Sequence, residues 1–377
     1  MSFVFFNKKN NLKDKDIFDN NLKRKKKIEK NKKFFSLLKN FFQILFCFTC
    51  ICFLVFAPNF VFDENNFKLN LNQFFNSKES STCVLSLYHI ETFEGGSNSR
   101  TNYLTKQASS FNKLYNNCHI VVKTLNLEQL ILNLKEQSLP DMFSFGIGAG
   151  EFVVGFLEQL DDNKDIRQDL LGCGVVSNQI LAYPYILSGY ALMSYETFLD
   201  SNNDNIENKI QNAIINKKEI KGLSVGQGST FSPLKVFDTN NIHYDLQNIS
   251  SFEDTYQAYQ NFIAKQSVSL LGTARDVARC LAREEKGAIS SLEYNFFGGY
   301  TDLVQCIGVT KTANSQKMYY SKLFANFLTQ ENAQNNLSKY GLFGVGQRNI
   351  YSEGLMLDYE NTLLKPIIAK NVFTISK

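Results

Sequence analysis

The stretch Phe41–Phe62, FFQILFCFTCICFLVFAPNFVF, is apolar apart from Gln43, Thr49, Pro58 and Asn59. A helix needs about 20 such residues to cross a bilayer. A helix also satisfies its own backbone polar groups, which lipid cannot do. The basic block KRKKKIEKNKK (Lys23–Lys33) lies just ahead of it. Lys and Arg beside a span stay on the cytoplasmic side, so everything after residue 62 is expected outside. A cleaved signal peptide is the rival reading, since the uninterrupted core Ile44–Ala57 is short. Against it, the preceding region is long and no A-x-A site follows. Cys47, Cys50 and Cys52 lack the small preceding residue of a lipobox. Either reading exports the rest of the chain.

That orientation divides the chain into a basic cytoplasmic tail (1–40), a signal-anchor helix (41–62), an Asn/Ser/Lys-rich linker (63–81) and a body (82–377). Residues 1–40 hold 13 Lys/Arg against 4 Asp/Glu within a total net charge of +4, so the remainder is near −5. The basic surplus belongs to the tail, and no nucleic-acid surface is expected on the body. The body is long enough for two lobes. Its five cysteines, Cys83, Cys118, Cys173, Cys280 and Cys306, are scattered, odd in number and without C-x-x-C spacing. They read mostly as small buried apolar residues, with one or two bridges open to an exported chain.

Along the body, CVLSLYHI (Cys83–Ile90) reads as a strand. Tyr103, Leu104, Ala108, Phe111, Leu114 and Tyr115 recur at helical spacing. HIVVKT (His119–Thr124) is a second strand, Leu127–Leu134 a second helix, and DMFSF (Asp141–Phe145) a third strand running into GIGAG (Gly146–Gly150). This alternation predicts a parallel sheet with right-handed crossovers and ligand loops at the carboxyl ends of its strands. Leu181–Tyr195 reads as two strands around Ser188-Gly189. Helices are expected over Asp200–Lys221, Ser251–Ala264, from Thr273 as N-cap, over Lys317–Leu328 and over Glu331–Lys339 before Gly341. Strands are expected at Ser267–Leu271 and after Gly298-Gly299. A second strand–helix series after residue 181 argues for a second α/β lobe.

Taken in order, LSLYHIETFEGGSNSR, LPDMFSFGIGAG, LAYPYILSGYALMSYETF, VSLLGTARDVAR, GGYTDLVQCIGVTK and FANFLTQENAQNNLSKYGLFGV resemble the extracellular solute-binding proteins of bacterial ABC importers, in the group that includes maltose and oligosaccharide binders. The pieces cover most of residues 82–345. The resemblance implies an α/β two-lobed periplasmic-binding-protein-like clamp of type II, here preceded by one transmembrane helix. Lobe 1 would take about 82–186 and 307–340, and lobe 2 about 192–304 and 345–377. By position it implies ligand contacts at Glu91, Thr92 and Glu94 after the first strand, and at Phe145, Gly146 and Gly148 after the third. Tyr185, Gly189 and Tyr190 would flank the hinge. Gly272, Thr273 and Arg275 would begin a cleft-facing helix, and Tyr300, Thr301 and Asp302 a cleft-lining turn. Carboxylates, Arg and flat aromatic faces suit a sugar-like solute. The chain has no Trp, a frequent sugar platform, so Tyr and Phe would take that part.

The residues do not add up to an enzyme. Glu91 and Glu94, three apart in a Gly-rich loop, lack a diagnostic acid/base spacing. His89, His119 and His243 are too scattered for a metal site. GIGAG lacks the Lys-Ser/Thr of a phosphate loop. Ser188, Ser194 and Ser229 have no nucleophile-elbow context. No catalytic residue, metal or cofactor is therefore expected. The expected partners are a sugar-like solute, ABC permease subunits, and the lipid membrane through Phe41–Phe62. A sensor using the same clamp to signal to a membrane partner is the alternative.

Overall fold

The computed structural model describes residues 82–91, 99–199, 205–216, 221–227, 230–242, 244 and 248–374. The Phe41–Phe62 run lies outside them, as do Thr92, Glu94 and His243. Among the described residues no helix is long and apolar enough to cross a membrane.

The body, residues 81–377, is one compact unit built on two five-stranded sheets. The first begins as expected. β1 (Cys83–Ile90), β2 (Cys118–Leu125) and β3 (Met142–Phe145) are joined by α1 (Ser99–Leu114) and α2 (Leu127–Lys135). β1 lies parallel to both neighbours, pairing Cys83 with Cys118 and His89 with Ser144. Asn126 starts α2 with a capping box: its side chain accepts from Gln129 N at 2.8 Å, and the Gln129 side chain accepts from Asn126 N at 3.0 Å. A short hairpin of β4 (Val175–Val176) and β5 (Gln179–Ile180) turns at Ser177 and Asn178, with φ of 49° and 62°. Two left-handed residues give that turn the twist its strands need.

Both halves of Leu181–Tyr195 are strands, but in different sheets. β6 (Ala182–Leu187) closes one edge of the first sheet. β7 (Tyr190–Tyr195) lies in the second with β8 (Lys221–Gly226), β9 (Ile249–Phe252), β10 (Ser267–Thr273) and β11 (Leu292–Phe296), in the order β11-β7-β10-β8-β9. β7 is buried at every position because the second sheet is covered on both faces. Tyr190 and Leu192 pack with Ile206 and Ile210 of α3 (Ile206–Asn216). Ala191, Met193 and Tyr195 pack with Tyr259 and Phe262 of α4 (Thr255–Ile263) and Val277 of α5 (Ala274–Glu285). From β11 the chain passes through β12 (Gly299–Thr301) to β13 (Val304–Val309), which returns to the first sheet between β3 and β6. α6 (Ser315–Thr329) then buries Phe324, Phe327 and Leu328 in the first core.

The C-terminal residues differ from expectation. The sequence places 345–377 with the second lobe, yet most of its ties run to the first. Arg167, 4% exposed, donates to the Leu363 and Lys365 carbonyls and grips Asp169 at 2.6 Å. Asp169 accepts from Ile367 N at 2.9 Å, and Val372 N donates to Cys173 O at 2.9 Å. Tyr359 and Leu363 of α7 (Gly354–Leu363) share the first lobe's core. Reaching the other way, β14 (Ile367–Ala369) pairs with β12, and Lys370 donates from its backbone N to Thr301 O at 2.9 Å and from Nζ to Thr230 O at 3.2 Å. The reason is long-range hydrogen bonding by a buried cation, which local periodicity does not carry. Arg167→Ala is expected to lower stability by about 3 kcal/mol, because it strips donors from buried acceptors. Urea unfolding should show a lower midpoint with an unchanged slope.

Candidate functional site

Two chain crossings link the sheets. Ser188-Gly189 carries the chain out from β6 to β7, and Asp302-Leu303 carries it back from β12 to β13. The crossings are bonded to each other. Ser188 N donates to Leu303 O at 2.8 Å, and Thr301 Oγ1 donates to Ser188 O at 2.6 Å. Gly189 lets α7 approach closely: a Cβ would come 2.5 Å from Leu363 Cδ2 and 3.2 Å from the Tyr359 hydroxyl, so the Leu363 side chain would have to shift.

Asp302 anchors the return crossing. It is fully buried and accepts from the Tyr190 hydroxyl, from the Tyr300 hydroxyl at 3.2 Å and from Ser232 N at 2.6 Å. Burial first, then the Asp302 charge, pushes both tyrosines far above the usual phenol range. They therefore remain donors to the carboxylate.

A polar belt crosses the first sheet toward the same end. His89 Nδ1 lies 2.9 Å from Ser144 Oγ, which is 2.7 Å from the Tyr185 hydroxyl and accepts from Gln305 Nε2 at 3.0 Å. Gln305 Oε1 in turn accepts from Arg100 Nη1 at 3.4 Å. The belt thus joins β1 and β3 to the two crossing strands β6 and β13. His89 Nε2 is buried with no hydrogen-bond partner among the described residues. Burial, and after it the Arg100 charge, lowers His89 from 6.5 to about 3, so the folded body holds it neutral.

No family model and no curated protein matches the sequence. Solved structures do match. A cyclic alpha-maltosyl-1,6-maltose binding protein from Arthrobacter globiformis is 11% identical with a TM-score of 0.56, over 77% of this chain and 88% of that one. A family 1 extracellular solute-binding protein from Bifidobacterium longum subsp. infantis is 9% identical with a TM-score of 0.56, over 78% and 90%. A cyclo/maltodextrin-binding protein complexed with maltotetraose is 11% identical with a TM-score of 0.54, over 78% and 88%. The chain has the fold of family 1 solute-binding proteins.

Within this fold, the described residues singled out in the sequence fall into four groups and one single residue. Tyr190, Thr301, Asp302 and Tyr300 come together at the crossings, with their polar groups turned on one another or on the neighbouring backbone. Gly146 and Gly148 form the turn after β3. Gly148 has φ +86°, and a Cβ there would come 2.8 Å from Thr230 Cγ2, so this turn touches the segment that carries Ser232. Gly272, Thr273 and Arg275 open α5, where Thr273 N and Oγ1 both donate to Asp276 Oδ2 at 2.8 and 3.0 Å. Phe145 and Tyr185 are core residues. Phe145 packs 5.6 Å from Phe373, and Tyr185 stacks 6.3 Å from Tyr103. Glu91 is exposed at the end of β1, where its backbone N donates to Leu125 O at 3.4 Å.

Tyr359 escaped the sequence reading. Its ring stacks on Phe296 of β11 at 4.2 Å and meets Phe343 edge-on at 5.2 Å, so it wedges between the two sheets beside the crossing. Its hydroxyl is buried without a hydrogen bond among the described residues, and burial followed by the Asp276 charge keeps it protonated. Arg100, Thr230, Ser232 and Gln305 were also missed. Arg100, closing the ETFEGGSNSR stretch, and Gln305, inside GGYTDLVQCIGVTK, sat in segments the sequence marked. Among the described residues no group of three His, Cys, Asp or Glu could hold a metal.

Two outcomes follow. Asp302→Ala strands two phenols and an amide in a buried site, and should cost about 3 kcal/mol in unfolding free energy. His89 is held below its ordinary value, so between about pH 3 and 6.5 the unfolded chain binds the extra proton. Stability from this group therefore falls as pH drops from 6.5 toward 3, by up to about 1.4 kcal/mol per pH unit. Denaturant midpoints compared at pH 7 and 4.5 should fall more in the parent than in His89→Gln.

Proposed function

We propose that this chain is a membrane-anchored, extracytoplasmic substrate-binding protein of an ABC transporter that takes a sugar or oligosaccharide between its lobes and hands it to the permease. The observation that carries the reading is the pair of bonded crossings between two α/β sheets. Two rigid bodies joined by a short bonded hinge can close around a ligand by a change at few backbone torsions. The matched Arthrobacter globiformis protein and the maltotetraose complex add the solute class, since both are named for binding maltose-type saccharides. The basic block Lys23–Lys33 and the apolar run Phe41–Phe62 supply the anchor and its orientation.

Binding rather than chemistry fits the side chains at hand. Neutral phenols, amides, Thr hydroxyls and an exposed Glu91 match hydroxyl-rich ligands. Carboxylates at this crossing are already engaged by fixed donors. The solute contacts would come from the loop Glu91–Glu94, the turn Gly146–Gly148 and the start of α5 at Gly272–Arg275, with Tyr190 and Tyr300 holding the hinge behind them. Permease recognition then depends on closure, because only the closed form presents both lobes in one geometry.

Thermal unfolding of the body in the presence of maltose, linear and cyclic maltooligosaccharides, peptides and polyamines tests this. A ligand that binds only the native state at 100 times its Kd adds about 2.7 kcal/mol, a rise of about 5 °C in Tm. A rise with saccharides alone is expected. Glu91→Ala should shrink that rise and leave the ligand-free Tm within about 1 °C, because an exposed carboxylate contributes little to stability. A saccharide panel that leaves Tm unmoved while peptides or polyamines raise it would reassign the solute. Release of reducing sugar from glycosides by the purified body would replace binding with catalysis.

A further inference from the structure

The five body cysteines resolve into two facing pairs and a single residue, a grouping their spacing conceals. Cys83 and Cys118 are register partners at the first positions of β1 and β2. Cys173 and Cys306 meet in the first core with their sulfurs 3.8 Å apart, although 133 residues separate them in sequence. Cys280 packs alone in the second lobe. All five are buried thiols in this structure.

The two pairs differ in what holds them. Parallel neighbouring strands keep directly opposed side chains side by side, so Cys83 and Cys118 need no link to remain in contact. Cys173 sits in the single turn Gly172–Gly174, which is not part of either sheet. That turn receives the C-terminal segment: Val372 N donates to Cys173 O, and Asn371 Nδ2 donates to Gly172 O at 3.0 Å. Cys306 lies on β13, the strand that returns through the hinge, at an irregularity in its pairing with β6. Neither residue has any exposure, and the two sulfurs face each other. At 3.8 Å the two sulfurs are in contact but unbonded, and a disulfide would close them to about 2.05 Å.

We propose that Cys173 and Cys306 form a disulfide that staples the seat of the C-terminal segment to the returning hinge strand. The assignment draws its oxidant from the export reading above. An extracytoplasmic disulfide-bearing oxidant, a thiol–disulfide oxidoreductase or a small disulfide, accepts the electrons. The thiolate of one cysteine attacks the oxidant's disulfide, forming a mixed disulfide and releasing one oxidant thiol. The second cysteine's thiolate then attacks the protein sulfur of that mixed disulfide, forming the Sγ–Sγ bond and releasing the other oxidant thiol. The two cysteines lose two electrons and two protons, and the oxidant's disulfide gains them. Zero exposure places this exchange before the core closes and shields the bond from reductants afterwards.

The test uses the full chain in two arms. In the first, the chain is purified in detergent with reductant, unfolded, and refolded in a buffer of reduced and oxidised glutathione. It is then alkylated with N-ethylmaleimide under denaturing conditions and mapped by mass spectrometry without reductant. The expected product is a linked peptide joining Cys173 to Cys306, two hydrogens lighter than its parts, with Cys280 alkylated. Reduction, or Cys173→Ala in the oxidised chain, should lower the apparent Tm by about 5–10 °C. Alkylation of both Cys173 and Cys306 in protein that has regained its cooperative melt would overturn the assignment. The second arm alkylates intact cells making the chain, with external protease to report its side of the membrane. A linked pair in protease-accessible protein supports both readings. A pair that links on refolding but stays reduced in protease-protected protein upholds the assignment and removes the export reading instead.

Discussion

Everything else in the body depends on the hydrogen bonds between its two crossings. A single strand passing from one sheet to the other would be a flexible tether. Two, joined through Ser188, Thr301 and Leu303, form a short ribbon that resists shear but can bend. Asp302 fixes the ribbon's position by drawing Tyr190, Tyr300 and Ser232 onto one carboxylate. Burying a charge this way is costly in isolation, and three fixed donors are what make it tolerable. The hinge thus gains a defined geometry from a group that contributes little net free energy of its own.

The belt from His89 to Gln305 extends that logic into the first lobe. Its members come from β1, β3, β6 and β13, so the strands that end near the Glu91 loop are tied to the strands that bend. A hydrogen-bonded chain in a low-dielectric interior is stiff, and breaking it midway leaves polar atoms without water. Keeping His89 neutral is part of the same arrangement, since an imidazolium beside Arg100 would repel it in a space that offers little screening. The second lobe has no equivalent belt among the described residues. It is organised instead by aromatic packing, with Tyr195 stacked on Phe262 at 4.6 Å.

Much of this was legible in the sequence because the signals were local. CVLSLYHI and HIVVKT are apolar runs of strand length, and of the periodic apolar residues between them Tyr103, Leu104, Ala108 and Phe111 face one core while Leu114 is exposed. Thr273 and Asp276 spell a helix start three residues apart. Gly341 ends the turn before it with φ +66°, a conformation that costs glycine least. The split of Leu181–Tyr195 around Ser188-Gly189 was likewise visible, and so was the clamp it implied. β8, KGLSVG, was not: only Leu223 and Val225 mark it, and its place between β10 and β9 comes from parallel pairing across long loops. The seating of Tyr359 and the meeting of Cys173 with Cys306 were invisible for the same reason. Contacts between residues of different elements leave no period in the chain.

The C-terminal segment also sets an order of events in folding. Leu363, Lys365, Ile367 and Val372 occupy acceptors and donors on Arg167, Asp169 and Cys173, and Tyr359 fills the notch beside Gly189. Until residues 359–372 dock, the first lobe lacks part of the lining of its own core and leaves a buried guanidinium and carboxylate short of partners. The first sheet can therefore form early, but its lobe closes late, when a segment nearly two hundred residues further along the chain arrives.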